Sequence, residues 1–153
     1  MIADKLKELG IDLPDAPAPA ANYVPAVLTG NLLYISGQIP VKDGAMVATG
    51  HLGKDVSVEQ GQAAARQCAI NILAQVKTAL EGDLERIERC VKLTGFVSST
   101  PDFTQHPQVI NGASDLMVDV LGERGRHARA AVGMVALPLG VAVEVDAVFE
   151  VRI

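Results

Sequence analysis

The sequence predicts a two-layer α+β domain, a mixed β-sheet with two long helices on one face. Three observations carry this. Apolar residues recur at spacings of three and four in two long segments, residues 57–81 and 106–121. Short apolar or alternating runs bounded by turn residues fill most of the remainder, in the order β-β-(β)-α-β-α-β-β. The chain has 153 residues, 49% of them apolar and 20% charged, enough for one domain with its own core.

Taken in order, residues 2–9 read as a short helix with Ile2, Leu6 and Leu9 on one side and Gly10 as its stop. Pro14, Pro17 and Pro19 then exclude regular helix and central strand, so an extended connector is expected up to Asn22. Residues 1–22 are thus read as an added helix and Pro/Ala-rich connector, and 23–153 as a single domain. Val24–Leu28 and Leu32–Ser36 flank Gly30-Asn31 and predict a hairpin, with Pro25 confining the first strand to an edge. Lys42-Asp43-Gly44 is a second turn and Ala45–Ala48 a third, short strand. Ser57-Val58-Glu59-Gln60 fits a capping box opening a helix to about Glu81, with Ala65, Cys68, Ala69, Ile72, Val76, Ala79 and Leu80 as its apolar stripe. Val91–Ser98 reads as a strand. The second long helix spans His106–Leu121 on the stripe Val109, Ala113, Leu116, Met117 and Val120. Ala128–Leu137 and Val141–Val151 are strands around Pro138-Leu139-Gly140. In the last, Val141, Val143, Val145, Ala147 and Phe149 face one way, and Glu144, Asp146 and Glu150 the other.

Composition narrows the function. A net charge of −5 and a pI near 5.1 argue against a phosphate-neutralising surface. Three Phe, two Tyr and no Trp supply little for base stacking, so no nucleic-acid partner is expected. No apolar run reaches membrane-spanning length, and Met1–Lys7 lacks the apolar segment of a signal peptide, so a cytoplasmic setting is expected. Cys68 and Cys90, without a CxxC neighbour, suit buried free thiols in a reducing compartment. There is no GxGxxG, P-loop, HExxH or GxSxG, and His51, His106 and His127 lack metal-ligand spacing; neither metal nor cofactor is expected.

Arg129 is the conspicuous residue, a permanent cation among Ala128, Ala130, Ala131 and Val132. Either it pairs with a local acid or snorkels to the sheet edge, or its planar fork awaits the carboxylate of a ligand. Glu144 is the second candidate, either a solvated surface carboxylate or part of a site. If the last two strands pair through a tight turn, Arg129 falls opposite about Val148 and Glu144 opposite about Gly133, on the order of 13 Å apart. A site using both is then large or shared between subunits.

Several segments together resemble the Rid (YjgF/RidA) family: Tyr23-Val24, Gly30-Asn31, Ile35-Ser36-Gly37-Gln38-Ile39-Pro40, Val91–Val97 with Asp102-Phe103, Ala128-Arg129, Leu137-Pro138 and Val143-Glu144-Val145-Asp146-Ala147. The resemblance covers residues 23–153. It implies a chorismate-mutase-like fold, a homotrimer with clefts between subunits, and hydrolysis of 2-imino acids to 2-keto acids and ammonia without a cofactor. It also implies roles: Arg129 for the substrate carboxylate, Glu144 for the attacking water, and Tyr23, Ser36, Gly37 and Asn111 lining the cleft. The chain departs from the family pattern in having Arg126-His127-Ala128-Arg129 where an aromatic-Pro-Ala-Arg run is common, and Ala131 where Cys is common. A non-catalytic, small-carboxylate-binding or regulatory trimer is the alternative reading.

Overall fold

The structure is a computed structural model describing residues 1–19 and 21–153. Its elements are α1 (Ile2–Glu8), β1 (Ala26–Thr29), β2 (Leu32–Gln38), β3 (Val41–Lys42), β4 (Ala45–Met46), α2 (Val58–Ala79), β5 (Ile87–Ser98), α3 (His106–Leu121), β6 (Ala128–Met134) and β7 (Val143–Val151). The expected two-layer α+β architecture is present. A five-stranded sheet runs in the order β1-β2-β7-β5-β6, parallel only between β5 and β6, while β3 and β4 form a separate small hairpin.

The long helices form where the sequence places them. Ser57 Oγ accepts from the Gln60 backbone N–H at 3.1 Å, and Gln60 Oε1 accepts from the Ser57 N–H at 2.8 Å, satisfying two donors at the helix start. The stripe of α2 (Cys68, Ile72, Val76) and that of α3 (Val109, Ala113, Met117) bury against Leu33, Leu93, Val97 and Phe149 of the sheet. Gly112 lets α3 approach α2 closely, because a Cβ there would overlap the carbonyl oxygen of Gln62. In β7, Val143, Val145, Ala147, Phe149 and Val151 are buried while Glu144, Asp146, Val148 and Glu150 are partly exposed, so the helices cover one sheet face only.

Three expectations change. The strand expected from Val91 begins at Ile87; shifts of register between Ile87 and Arg89 and between Cys90 and Lys92 break the alternation by which a strand is read. β6 and β7 are not hairpin partners. After α3 the chain returns parallel to β5, as in a β-α-β unit, so β6 takes the edge and β5 separates it from β7.

The N-terminal segment is also more than an appendage. Ile2, Leu6 and Ile11 lie in the main core cluster, and only Leu9 of the expected stripe is exposed. The connector and the loop entering β3 are tied down by a ladder of buried amides on α2 at four-residue spacing. Gln75 Nε2 donates to the Pro17 carbonyl at 2.7 Å, Asn71 Nδ2 to the carbonyls of Ile39 and Val41 at 3.0 Å each, and Gln67 Nε2 to Asn71 Oδ1 at 3.0 Å.

Candidate functional site

Arg129 opens the edge strand β6. Its register partner on β5 is Leu93, which is fully buried beneath the helices, so the Arg129 side chain points to the helix face. There it meets α3, where Pro107, Asn111 and Ser114 share one side by helical spacing. Nη1 donates to Asn111 Oδ1 at 2.7 Å and to Ser114 Oγ at 3.0 Å, and Nη2 makes a long contact with the Pro107 carbonyl at 3.4 Å. All three acceptors are neutral. Among the described residues no carboxylate lies within ion-pair distance of Arg129. Among the described residues, Nε–H and one Nη2–H have no acceptor, and two donors are what a bidentate carboxylate takes.

Two residues upstream on the same strand side, His127 completes the cluster. Its Nδ1 lies 2.6 Å from the Gly125 carbonyl, which can only accept, so Nδ1 carries the proton. Nε2 of the neutral ring is then the acceptor, and Ser114 Oγ, 2.8 Å away, donates to it. Burial, assisted by the Arg129 charge and opposed by the Gly125 bond, holds the imidazole below the ordinary histidine value. A cavity of about 440 Å³ opens beside this group, lined by Ser114, Asp115, Val118, Arg126, His127 and Arg129. A larger hollow of about 550 Å³ lies between the connector and the β3–β4 hairpin. Its buried amides Gln67 and Asn71 are spent on internal bonds, while Asp12, Asp15, Lys42, Asp43 and Arg66 line its rim.

Glu144 occupies the opposite sheet face. Its β5 partner is Phe96, whereas Arg129 aligns through Leu93 with Ala147. The two residues are therefore three positions apart along the strands, on the order of 10 Å, two strand spacings apart across the sheet, again about 10 Å, and on different faces. The separation expected from the sequence holds, although the hairpin pairing assumed for it does not. Around Glu144 the chain gathers a second cluster. The irregularity between Ile35 and Gln38 places Gly37 against the Glu144 carboxylate, so close that any Cβ at Gly37 would collide with it. Ser36 Oγ donates to the Val24 carbonyl at 2.9 Å and the Ser36 N–H donates to the Pro25 carbonyl at 2.9 Å, tying β2 to the segment that carries the exposed Tyr23. Burial and the neighbouring Asp146 raise the Glu144 carboxyl above the usual carboxylate range.

Of the residues singled out from sequence, Arg129 and Asn111 are in contact, and Gly37 lies against Glu144 with Ser36 beside it in the chain, while Tyr23 is exposed and is linked to this group only through the backbone bonds of Ser36 to Val24 and Pro25. Ser114 and His127 were not singled out as site residues. The signals that could have found them are the three-residue offset of Ser114 from Asn111 on α3 and the two-residue offset of His127 from Arg129 on the strand. Neither cysteine competes as a nucleophile: burial pushes the Cys90 thiol up to about 12 and Cys68 well above its ordinary value. Among the described residues no cluster of His, Cys, Asp or Glu could hold a metal ion, and no helix is long and apolar enough to cross a membrane.

Residues 3–150 match the family described as YjgF/chorismate_mutase-like, putative endoribonuclease, and the chain belongs to that family. It is similar to a crystal structure of a protein of unknown function from Agrobacterium tumefaciens, with 56% identity, a TM-score of 0.93, and coverage of 99% of this chain and 92% of that one. Protein TCP17 of Trypanosoma cruzi is 53% identical over 152 residues, covering 99% of this chain and 94% of its own. The crystal structure of Escherichia coli TdcF with bound serine matches at 25% identity and a TM-score of 0.63, covering 91% and 94% of the two chains. The family match begins at residue 3, so it includes all of α1 but Ile2.

Proposed function

We propose that the chain hydrolyses small 2-imino acids to 2-keto acids and ammonia, in a cleft between subunits of a homotrimer. The observation that carries this reading is Arg129, a cation with no ionic partner among the described residues, fixed by neutral acceptors, with two donors free beside a cavity. Such a fork grips a carboxylate and orients the carbon bonded to it. Glu144, its carboxyl raised above the usual carboxylate range by burial and Asp146, suits proton exchange with an attacking water. Its place on the other sheet face supports a site in which Arg129 comes from one subunit and the Glu144, Gly37, Ser36 and Tyr23 cluster from the next. Val27, Tyr34 and Val132 stay exposed in the single chain, which suits a face covered by further copies. The serine bound in Escherichia coli TdcF is itself a small carboxylate. The net charge of −5 weighs against an RNA substrate.

The second reading, carboxylate binding without catalysis, is favoured by Ala131 standing where the family pattern commonly has cysteine. One assay separates the two. With 2-iminobutanoate generated in situ, the wild-type protein should speed keto-acid formation above the spontaneous rate and Arg129→Ala should not. A wild-type protein that binds 2-ketobutanoate but leaves the hydrolysis rate unchanged decides for the second reading.

A further inference from the structure

We propose that His127, acting through the Ser114 hydroxyl, carries the proton released when the hydrolytic intermediate of the Arg129 site collapses. The inference rests on the imine-hydrolysis reading and adds to it a proton path that begins beside the carboxylate anchor.

The geometry is that of a hydroxyl, a base and an element that orients the base. Ser114 Oγ lies 2.8 Å from His127 Nε2, and His127 Nδ1 lies 2.6 Å from the Gly125 carbonyl, which fixes the tautomer leaving Nε2 free to accept. Ser114 Oγ also accepts from Arg129 Nη1 at 3.0 Å, so the hydroxyl sits beside the guanidinium that would hold the substrate. His127 reaches solvent through the 440 Å³ cavity, which gives a carried proton an exit. A second serine–histidine contact, Ser99 Oγ to His106 Nε2, is longer at 3.2 Å, and among the described residues its ring has no second hydrogen bond to orient it. The charged groups facing His127 are Asp115 from α3, Arg126 and Arg129 from its own segment, and Arg89 from β5, which donates to the Arg126 carbonyl.

Water adds to the carbon of the iminium, the C=N electron pair moves to nitrogen, and the Glu144 carboxylate takes the water proton, giving a neutral carbinolamine. Glu144 then returns that proton to nitrogen. The C–N bond breaks, its electron pair leaves on nitrogen as ammonia, and C=O forms. The hydroxyl proton passes to Ser114 Oγ while the Ser114 proton passes to His127 Nε2. The imidazolium then loses its proton to solvent. One positive charge enters on the iminium and leaves as that proton, and no oxidant or cofactor is consumed.

His127→Asn tests this, because its amide can still donate to the Gly125 carbonyl while the acceptor for Ser114 is lost. The measurement is kcat/KM for 2-iminobutanoate hydrolysis against pH, corrected for the spontaneous rate, together with the melting temperature. The wild type should lose activity on acidification below the ordinary histidine value, where Nε2 becomes protonated. The variant should lose that limb and about a hundredfold in rate, the scale of a lost proton-transfer group. Added imidazole should restore part of the rate in His127→Ala by entering the vacated space. A folded His127→Asn with the wild-type rate and the wild-type acid limb overturns the inference and leaves the Arg129 reading standing. A wild type that gives no acceleration at any pH overturns both.

Discussion

At the scale of single residues, Arg129 is a cation without an ionic partner among the described residues. Arg129 is held by Asn111, Ser114 and the Pro107 carbonyl. Arg129→Ala should therefore remove a charge-assisted contact worth about 1.5–3 kcal/mol per hydrogen bond, tenfold to a hundredfold in kcat/KM each, while the melting temperature moves little. Arg129→Lys should recover only part, since an ammonium cannot reproduce the planar fork. An arginine with a merely structural role gives the reverse pattern, a lower melting temperature with unchanged activity of the folded fraction. His127 has a separate signature in stability. Its proton affinity is depressed in the folded state, so the unfolded chain binds more protons near and below the ordinary histidine value. That contribution is complete above this value and is lost as pH falls from it through the lower folded-state value. Urea titrations at stepped pH should show the wild-type midpoint falling across this window more than that of His127→Asn. The raised carboxyls of Glu144 and Asp146 act with the opposite sign, favouring the folded state as they protonate in the acid range.

At the scale of elements, α1 and the connector have a structural cost when removed. Deleting residues 1–20 takes Ile2, Leu6 and Ile11 from the core and the Pro17 carbonyl from Gln75. Each buried aliphatic side chain stabilises by about 1.5–3 kcal/mol, so the truncated chain should melt markedly lower. An unchanged melting curve would show the segment to be the appendage that the sequence suggests. That contrast marks what was legible. The capping box at Ser57 and the stripes of α2 and α3 are local signals, and both helices formed within about two residues of expectation. Strand order is not local. Nothing around Pro138-Leu139-Gly140 says that β5 will come between β6 and β7, and the proline connector gives no sign of the amides waiting for it on α2. The site divides in the same way. A lone guanidinium in an apolar strand is visible in one dimension, whereas Ser114 and His127, thirteen positions apart, become partners only when α3 and β6 meet.

At the scale of the whole molecule, the sheet carries the Arg129 and Glu144 clusters on opposite faces and leaves apolar side chains uncovered opposite the helices. A cyclic assembly with a head-to-tail contact would bring the Arg129 cluster of one copy to the Glu144 cluster of the next. Light scattering should then give about three times the chain mass of 16.0 kDa. The most direct test of the shared site is co-expression of Arg129→Ala with Glu144→Gln, each inactive alone toward 2-iminobutanoate. In mixed trimers a native site forms wherever a Glu144→Gln subunit supplies Arg129 to a neighbour that retains Glu144. Random mixing of equal amounts should restore about a quarter of the wild-type activity. Mixed trimers that form and stay inactive would contradict a site built across the subunit boundary.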